Sequence, residues 1–242
     1  MLAAMSERRV EQRYLSGDYR QANPTWDAED SPWKAGIVRA LIERAGIPAA
    51  SIVEIGCGAG GVLAELRKAF PHARLEGFDI APDAATFWPR HAGAGIDFRL
   101  GDFFDGSAGK NYDIALVLDV LEHLADPADF LSRLRGRAKH VVLHIPLDLS
   151  AFTVLREMPL LESRDKVGHI HYYTKGLALA LLRESAYDVL EADYTGAAFH
   201  APRRRWQTAA AAVVRRLVYA LGRDAGVRLL GGETLLVLAR PR

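Results

Sequence analysis

The chain has 242 residues, half of them hydrophobic and a quarter charged, so it can bury one sizeable core and would be crowded as two full domains. Its 31 basic and 30 acidic residues leave a formal net charge of +1, which excludes a global field that attracts nucleic acid or an anionic membrane. The single cysteine, Cys57, excludes an internal disulfide framework and a zinc site built from several cysteines.

The N-terminal residues are polar and charged. Acidic and basic residues precede any apolar run long enough for a signal peptide, and no segment approaches the roughly 20 apolar residues that span a bilayer. We therefore expect a cytoplasmic protein. Residues 1–30 hold Tyr14, Tyr19 and Trp26 without clean periodicity, and we interpret them as an irregular segment that could form a flap on a single domain of residues 31–242.

Strand and helix patterns alternate from residue 31 onward. Ser31 before Pro32 predicts a helix N-cap, and Gly46 predicts the end of that helix near Ala45. The strands predicted next are 51–55, 73–80, 96–100, 112–118 and 140–145, with helices at 62–70, 82–91 and 127–136. Such alternation predicts an α/β fold of three layers, in which helices cover both faces of a parallel sheet.

The pattern changes in the second half of the chain. A long connection over residues 146–174 precedes a predicted helix at 175–183, and long connections in compact domains are usually functional or mobile. Two last strands are predicted at 188–195 and 233–239. Between them lies an insertion, residues 196–231, which carries seven arginines and a single acid.

A glycine-rich loop follows the first predicted strand. Gly56, Gly58 and Gly61 have the G-x-G-x-x-G spacing, which lets a backbone turn tightly and approach a ligand. This spacing alone equally fits NAD or an ordinary turn between a strand and a helix. Glu54, two residues before the first glycine, favours another ligand, because its charge would repel a pyrophosphate but not a sulfonium amino acid.

Two further acids follow the next strands at the spacing of a nucleoside site. Asp79 ends the second strand, where a carboxylate can accept both ribose hydroxyls. Asp102 follows the third strand, where it can accept the adenine amino group while Phe103 covers the ring. Each acid alone could be a surface carboxylate at a strand end, but together with Glu54 they favour a nucleoside site.

An ordered series of motifs resembles that of class I S-adenosylmethionine (SAM)-dependent methyltransferases of the small-molecule group, over about residues 50–195: VEIGCGAGG, GFDIAPDA, GDFFD and YDIALVLDVLEHLADP. The resemblance implies a Rossmann-like, seven-stranded, mostly parallel sheet with an antiparallel last strand. It also implies that Glu54 and the glycines hold the methionine part of SAM, Asp79 the ribose and Asp102 the adenine. The insertion departs from the family, which usually joins its last two strands by a short turn.

The predicted cofactor is SAM, with S-adenosylhomocysteine (SAH) as the product. Trp33 and Lys34, on the first predicted helix, are also expected to contact SAM, because closure of the N-terminal segment could bring them to the cofactor's carboxylate. The full predicted set is Glu54, Gly56, Gly58, Gly60, Asp79, Ile80, Asp102, Phe103 and Asp119, with Trp33 and Lys34.

The methyl acceptor is expected beyond the carboxyl ends of the fourth and fifth strands, where ligands of open α/β sheets lie. Methyl transfer is an in-line displacement, so the protein must align the acceptor and, for a hydroxyl, remove a proton. His123 is the first candidate base, and His144, His169 and His171 lie in or beside the same segments. Alternatively, His123 is a structural histidine that fixes the loop with Glu122.

Four neighbouring residues also have the composition of a divalent metal site: Asp119, Glu122, His123 and His144. The stretch DVLEH resembles the metal-binding stretch of small-RNA and ubiquinone-pathway O-methyltransferases, and a metal could lower the pKa of acceptor oxygens. Because such Glu-His pairs are common in relatives that look metal-free, the metal is the less favoured hypothesis.

Within the insertion, residues 203–223 predict an amphipathic helix. A helical wheel separates two groups, the apolar Val213, Val214, Leu217, Val218 and Leu221 and the basic Arg205, Arg216 and Arg223. One interpretation is an interfacial helix that brings the protein to anionic lipid. The more ordinary one is a helix that covers the core or forms a homodimer contact. A nucleic-acid groove is not expected, because aromatic residues are sparse.

The sequence thus predicts a SAM-dependent methyltransferase that acts at oxygen on a small or lipid-linked acceptor, with a histidine assisting deprotonation. One alternative is an N-methyltransferase, in which alignment alone could suffice. Another is a catalytically silent partner protein that binds SAM or associates with a membrane. An NAD oxidoreductase is the third alternative, and Glu54 argues against it.

Overall fold

The computed structural model describes residues 12–200 and 206–242, which build a seven-stranded sheet with helices on both faces. The strands are β1 (Ser51–Ile55), β2 (Arg74–Asp79), β3 (Ile96–Leu100), β4 (Tyr112–Leu118), β5 (Ala138–Pro146), β6 (Tyr187–Tyr194) and β7 (Thr234–Pro241). The helices are α1 (Asp18–Ala22), α2 (Ser31–Ala45), α3 (Gly61–Ala69), α4 (Pro82–Ala85), α5 (Phe103–Gly106), α6 (Pro127–Leu134), α7 (Ala151–Arg156), α8 (Met158–Lys166), α9 (Lys175–Glu184), α10 (Ala197–His200), α11 (Trp206–Leu221) and α12 (Arg223–Leu230).

The sheet has the strand order β3-β2-β1-β4-β5-β7-β6. β1 pairs in parallel with both β2 and β4, so the winding of the chain reverses between β1 and β4. β2 with β3 and β4 with β5 are also parallel, whereas β7 runs antiparallel to both of its neighbours. This arrangement confirms the predicted Rossmann-like sheet with an antiparallel last strand.

Alternate residues of the central strands enter two separate cores, as a sheet buried on both faces requires. On one face, Ile52 and Ile114 belong to a core that α2 and α3 complete. On the other face, Val53 and Ala115 belong to a core that α6, α9, α11 and α12 complete. The near-continuous apolar runs that predicted these strands therefore reflect burial on both sides.

Two segments differ from their prediction. Residues 82–91 were expected to form one helix but form α4 and a separate 3₁₀ turn, Trp88–His91. Pro89 explains the break, because it has no N–H to donate within a continuous helix. The long connection over residues 146–174 is not without secondary structure, since it contains α7 and α8.

The N-terminal segment is not irregular throughout, because it contains α1 and a 3₁₀ turn over Ala28–Asp30. This turn runs directly into α2, and the Ala28 carbonyl accepts the N–H of Ser31. The prediction of Ser31 as the N-cap was therefore wrong, and Ser31 is the first residue of the helix. Gly46 ends the helix in the left-handed conformation, as predicted. Residues 1–11 of the expected flap lie outside the described residues.

The insertion is anchored where it leaves and rejoins the sheet. The buried carboxylate of Glu233 accepts the backbone N–H of Gly196 at 3.0 Å and a guanidinium N–H of Arg223 at 3.3 Å. α12 packs on α7. Arg203–Arg205, part of the predicted basic helix, and the side chain of Val214 lie outside the described residues. None of the described helices combines the length and the apolar composition needed to cross a bilayer.

The apolar side of α11 faces away from the core. Val213, Leu217 and Leu221 are 55%, 64% and 91% exposed. Tyr219 faces inward instead, and its hydroxyl donates to the Gly231 carbonyl at 2.7 Å. The helix therefore covers the core through Tyr219, whereas these three residues of its predicted apolar side do not take part.

Candidate functional site

A cavity of about 390 Å³ opens at the carboxyl ends of β1, β2 and β4. It lies where the winding of the sheet reverses, which is the usual ligand position in open α/β sheets. Eight acidic and two basic residues line it: Asp27, Glu54, Asp79, Asp102, Asp119, Glu122, Asp126 and Asp129 against Lys34 and Arg133. This excess of negative charge favours a cationic ligand over a pyrophosphate.

The glycine loop between β1 and α3 surrounds one end of the cavity. The backbone N–H groups of Gly56 and Cys57 donate to the Phe78 carbonyl at 2.8 and 3.0 Å, which fastens the loop to β2. Gly56 and Gly58 have left-handed φ angles of 73° and 51°. A Cβ on Gly56 would meet Cγ2 of Val120 at 2.7 Å. Glycine is therefore required for the close approach of this loop to a ligand.

Asp79 connects the same loop to the end of β2. Its Oδ2 accepts the Gly58 N–H at 2.8 Å, and its Oδ1 accepts the Ala81 N–H at 2.9 Å. Burial raises the pKa of Asp79 to about 6, although these backbone hydrogen bonds oppose the shift. Ile80 lines the cavity beside it. The carboxylate is thus held in one orientation, as a group that recognises two hydroxyls must be.

Aromatic side chains form the opposite end of the cavity. Asp102 caps α5 by accepting the Phe104 N–H, so its carboxylate is fixed at this end. Phe103 is 3% exposed and lines the cavity wall together with Phe130. The guanidinium carbon of Arg133 lies 4.0 Å from the ring centre of Phe104. A flat, apolar ring with one exocyclic donor suits this end.

Asp119 links the cavity to a buried chain of hydrogen bonds. Lys34 Nζ lies 2.7 Å from Oδ2, and His144 Nδ1 lies 2.7 Å from Oδ1. Burial alone would raise the pKa of Asp119, but the charges of His144 and Lys34 hold it well below its usual range. His144 Nε2 lies 2.8 Å from Oγ1 of Thr234, so both ring nitrogens are engaged.

Glu122, His123 and His169 form a second cluster on the cavity wall, the Glu-His-His cluster. Glu122 Oε1 lies 3.9 Å from Nε2 of each imidazole. Glu122 is fully buried, and neither carboxyl oxygen has a hydrogen-bond partner within the described part of the chain. Burial and, next, the charge of Asp119 raise the pKa of Glu122 well above its usual range. An unpartnered buried carboxyl is costly, which indicates that a bound group completes the cluster.

The two histidines of the cluster differ in their partners. His123 Nδ1 lies 3.2 Å from the Gly168 carbonyl, and burial and the charge of His169 lower the pKa of His123 to about 4. His169 Nδ1 lies 2.6 Å from Oδ2 of Asp148. As an acceptor, the carboxylate selects the tautomer of His169 in which Nδ1 carries the proton and Nε2 does not. Of the two imidazoles, His169 is therefore the one whose Nε2 is oriented by a carboxylate on the other nitrogen.

Residues 12–30, the N-terminal strap, close one side of the cavity. Tyr14 lines the cavity with its hydroxyl buried and without a hydrogen-bond partner in the described ranges. Arg13 donates to a backbone carbonyl of α8 at 2.9 Å. Arg20 bonds to Asp83 of α4 at 3.1 Å. The strap is thus held on both sides of the cavity, consistent with the flap predicted from the sequence.

A family model described as a methyltransferase domain matches residues 28–192, which is most of the chain. The chain belongs to this methyltransferase-domain family, and its fold is that of class I SAM-dependent methyltransferases. The ubiquinone biosynthesis O-methyltransferase of Azorhizobium caulinodans is 36% identical over 116 residues, 43% of this chain and 45% of that protein. The malonyl-acyl-carrier-protein O-methyltransferase of Anoxybacillus flavithermus is 26% identical over 131 residues, 54% of this chain and 50% of that protein. The matched part of the methyltransferase spans about half the length of these curated relatives.

Solved structures show the same fold. The plantazolicin methyltransferase BpumL, in complex with a monoazolic desmethylPZN analog and SAH, has a TM-score of 0.63 at 16% identity, over 99% of this chain and 96% of that chain. The mitomycin 7-O-methyltransferase MmcR has a TM-score of 0.54 at 21% identity, over 87% of this chain and 54% of that chain. At these identities the likeness concerns the fold alone.

Most of the residues predicted to bind SAM lie together. Those that line the cavity are Glu54, Gly56, Gly58, Asp79, Ile80, Asp102, Phe103, Asp119 and Lys34. Gly60 does not line it, because this N-cap residue of α3 faces Phe98, which a Cβ would meet at 2.6 Å. Trp33 does not line it either, since its ring stacks on His200 at 4.4 Å.

The predicted catalytic histidines divide into two pairs. His123 and His169 line the cavity, whereas His144 and His171 do not. Sequence reasoning missed Asp148, the partner of His169. An available signal was its position just after β5, at the same sheet edge as the other strand-end acids. Tyr14 was named only as part of the flap, and no sequence pattern marks it as a cavity residue.

Glu54 provides a test of the methionine end of the site. Its Oε2 has no hydrogen-bond partner in the described chain, and burial raises the pKa of Glu54 to about 8. When the pKa of an acid is higher in the folded than in the unfolded state, the folded protein becomes less stable as the pH rises from the unfolded-state pKa to the folded-state pKa. We therefore expect Glu54→Gln to raise the unfolding temperature of the ligand-free enzyme near pH 7, measured by thermal denaturation.

The same substitution is expected to weaken SAH binding. The family resemblance implies that Glu54 holds the methionine part of the ligand, whose ammonium group would pair with the ionised carboxylate. The affinity of the unmodified enzyme should therefore rise between about pH 6 and 8, and that of Glu54→Gln should not. Calorimetric titrations across this range measure both trends. Glu43→Gln, an exposed exchange on α2, is the matched control. Equal pH profiles for Glu54→Gln and the unmodified enzyme would contradict the assignment.

Proposed function

We propose that the enzyme methylates an oxygen atom of a small or lipid-linked acceptor. The observation that carries this proposal is the pair of His169 and Asp148, 2.6 Å apart, beside the cavity. This pair leaves Nε2 of His169 to take a hydroxyl proton, a task that methylation of a neutral amine does not require. Both curated relatives described above are named O-methyltransferases, which supports oxygen as the methylated atom.

The residues of the cavity divide the work of the reaction. Bound SAM supplies an activated methyl group on a positively charged sulfur. Glu54, Asp79 and Asp102 bind and orient its three parts, and the N-terminal strap limits the access of water. His169 accepts the acceptor proton at Nε2, while Asp148 holds the ring in place. Equal binding of the ground state and the transition state would not raise the rate of the chemical step. The rate gain therefore comes from alignment of the two reactants and from removal of the acceptor proton.

An acceptor with an apolar portion is favoured by the surroundings of the cavity. Tyr14 and Val167 line it near the Glu-His-His cluster. α8, which immediately precedes Val167, exposes Met158 and Leu161 to solvent. The relative from A. caulinodans is named for ubiquinone biosynthesis, and the relative from A. flavithermus for a malonyl acyl-carrier protein. We therefore place a phenolic hydroxyl on a compound with an apolar tail first among candidate acceptors.

A transfer assay with methyl-labelled SAM tests this function. The acceptors are a panel of phenols and catechols, with and without prenyl tails, beside a matched panel of amines. Label on hydroxyl compounds supports the proposal, and a preference for those with tails supports an apolar acceptor. Label on amines alone would make the enzyme an N-methyltransferase. SAH binding without transfer to any acceptor would favour a catalytically silent SAM-binding protein.

A divalent cation in the Glu-His-His cluster is a second candidate for proton removal. Glu122 offers two unpartnered oxygens, and His123 and His169 direct Nε2 toward it. Asp119 and His144, which the sequence placed in this set, are engaged with other partners instead. A cation held here would act as a Lewis acid and lower the pKa of a bound hydroxyl.

We expect turnover to survive dialysis against EDTA, because the cluster already contains a proton acceptor with a carboxylate partner. The initial rate of methyl transfer before and after chelation measures this. SAH titration of the dialysed enzyme is the control for the intact cofactor site. A loss of turnover that added Mg²⁺ or Zn²⁺ restores, with unchanged SAH affinity, would favour the cation over the histidine base.

A further inference from the structure

A set of large apolar side chains is exposed on two neighbouring pairs of helices. We call this set the apolar rim, and its members are 42–91% exposed: Phe152, Leu155 and Met158 on α7 and α8, and Leu217, Leu221 and Leu229 on α11 and α12. Isolated exposed leucines are common on proteins, but a group of this size on adjoining helices marks an interaction surface.

The fold directs the rim of α11 outward. Leu217 and Leu221 each lie two residues from Tyr219, which places them on the opposite side of a helix with 3.6 residues per turn. Tyr219 is 8% exposed and bonds to the Gly231 carbonyl at 2.7 Å, so it fixes which side faces the core. The exposure of the two leucines therefore follows from how the helix is anchored.

The two helix pairs adjoin each other and the cavity. α12 packs on α7, and a side chain on Gly231 would meet Ser150 Oγ, just before α7, at 2.8 Å. α8 continues directly into Val167 and His169, which line the cavity beside the Glu-His-His cluster. The rim thus lies on the helices that border the side of the cavity where the acceptor is proposed to bind.

The charges near the rim indicate its partner. α11 and α12 expose Arg216 and Arg228, whereas Arg215 is half-buried and Arg223 pairs with Glu233 at 3.3 Å. The single acid of the two helices is Asp224. Asp224 already bonds to Lys175 at 3.1 Å. A symmetric contact between two copies of the chain would oppose these arginines to each other, which is unfavourable. An anionic lipid surface would instead attract the arginines and accept the apolar side chains.

We propose that the apolar rim docks the enzyme on an anionic lipid surface. Apolar side chains of α7, α8, α11 and α12 enter the headgroup region, and the exposed Arg216 and Arg228 contact lipid phosphates. The docking stands on the rim and its charges. Its role in delivering an acceptor with an apolar tail rests on the function proposed above.

Cosedimentation with vesicles tests the docking without an activity measurement. The enzyme should sediment with vesicles of phosphatidylglycerol and phosphatidylcholine, less so at high salt, and hardly with phosphatidylcholine alone. The double variant Leu217→Ser/Leu221→Ser should lose about tenfold or more in vesicle affinity. Leu100→Ser is the matched control, because Leu100 is 52% exposed on β3 at the opposite edge of the sheet. Circular dichroism and SAH titration verify that the variants are folded.

Several outcomes would overturn the docking. One is that the unmodified enzyme does not sediment with anionic vesicles. Another is that the double variant sediments with them as well as the unmodified enzyme does. A dimer that the double variant loses, without vesicle binding, would assign the rim to a second copy of the chain. Transfer to a soluble acceptor without vesicle binding would leave the proposed function intact and remove the docking. Vesicle binding without transfer to any acceptor would do the reverse.

Discussion

Asp79→Ala is expected to lower the affinity of the enzyme for SAH by about 100-fold or more. The carboxylate accepts the N–H groups of Gly58 and Ala81, so its removal frees the glycine loop as well as the contact proposed to the ribose. Hydrogen bonds to a charged group contribute about 1.5–3 kcal/mol each, and losing two or more accounts for such a change. Calorimetric titration with SAH measures it.

The control is Asp97→Ala, which removes a half-exposed carboxylate from the neighbouring strand β3 and should leave SAH affinity unchanged. Thermal unfolding of both variants separates a binding defect from a folding defect. An Asp79→Ala enzyme that remains folded and binds SAH normally would contradict the ribose assignment. Competition by NADH in the unmodified enzyme would contradict the distinction that the cavity charges make between SAM and a dinucleotide.

His169→Ala is expected to lower kcat by about 10²–10⁴-fold, the usual contribution of a general base, with little change in SAH affinity. The reason is that Nε2 of His169 is the proposed proton acceptor on the cavity wall, with Asp148 bonded to the other nitrogen. Asp148→Asn should lower kcat less. Asparagine keeps the size of the side chain but no longer selects the tautomer with an unprotonated Nε2, because its amide can donate as well as accept.

His123→Ala is the matched comparison, since it removes the other imidazole of the same cluster. Its effect on kcat should be smaller, because burial and the charge of His169 lower the pKa of His123 to about 4, which makes it a weak base near neutral pH. A larger loss in His123→Ala than in His169→Ala would return the role of base to His123. Full activity in both variants would mean that alignment alone sustains the transfer.

The sheet and the cofactor end of the site were predictable because their signals are local. Strands such as Ser51–Ile55 and Tyr112–Leu118 are short apolar runs bounded by polar or glycine residues, and burial on both faces produces that pattern. The location of Glu54 and Asp79 in the site is predictable from their positions near the ends of strands, since the carboxyl ends of parallel strands meet at one edge of the sheet. The single helix predicted over residues 82–91 was wrong, because Pro89 has no backbone N–H to donate within a continuous helix.

The catalytic end was predictable only as a group of histidines. Asp148 and His169 are separated by 21 residues, and their contact depends on how α7 and α8 return the chain to the sheet edge. From the sequence alone, His144 is as good a candidate base as His169, but its two ring nitrogens contact Asp119 and Thr234 in the structure. No spacing rule reports which nitrogens are already bonded, since those partners come from distant strands.

The sequence by itself determined the class of fold, the family, and the charge and position of the predicted cofactor site. Each of these depends on short stretches of adjacent residues, namely the strand and helix patterns and the glycines and acids at strand ends. Only the tertiary structure decided which imidazole keeps a free nitrogen, that Trp33 points away from the cavity while Lys34 enters it, and which side of α11 is exposed. These properties depend on the direction of individual side chains. That direction is set by packing between elements that are far apart in the chain.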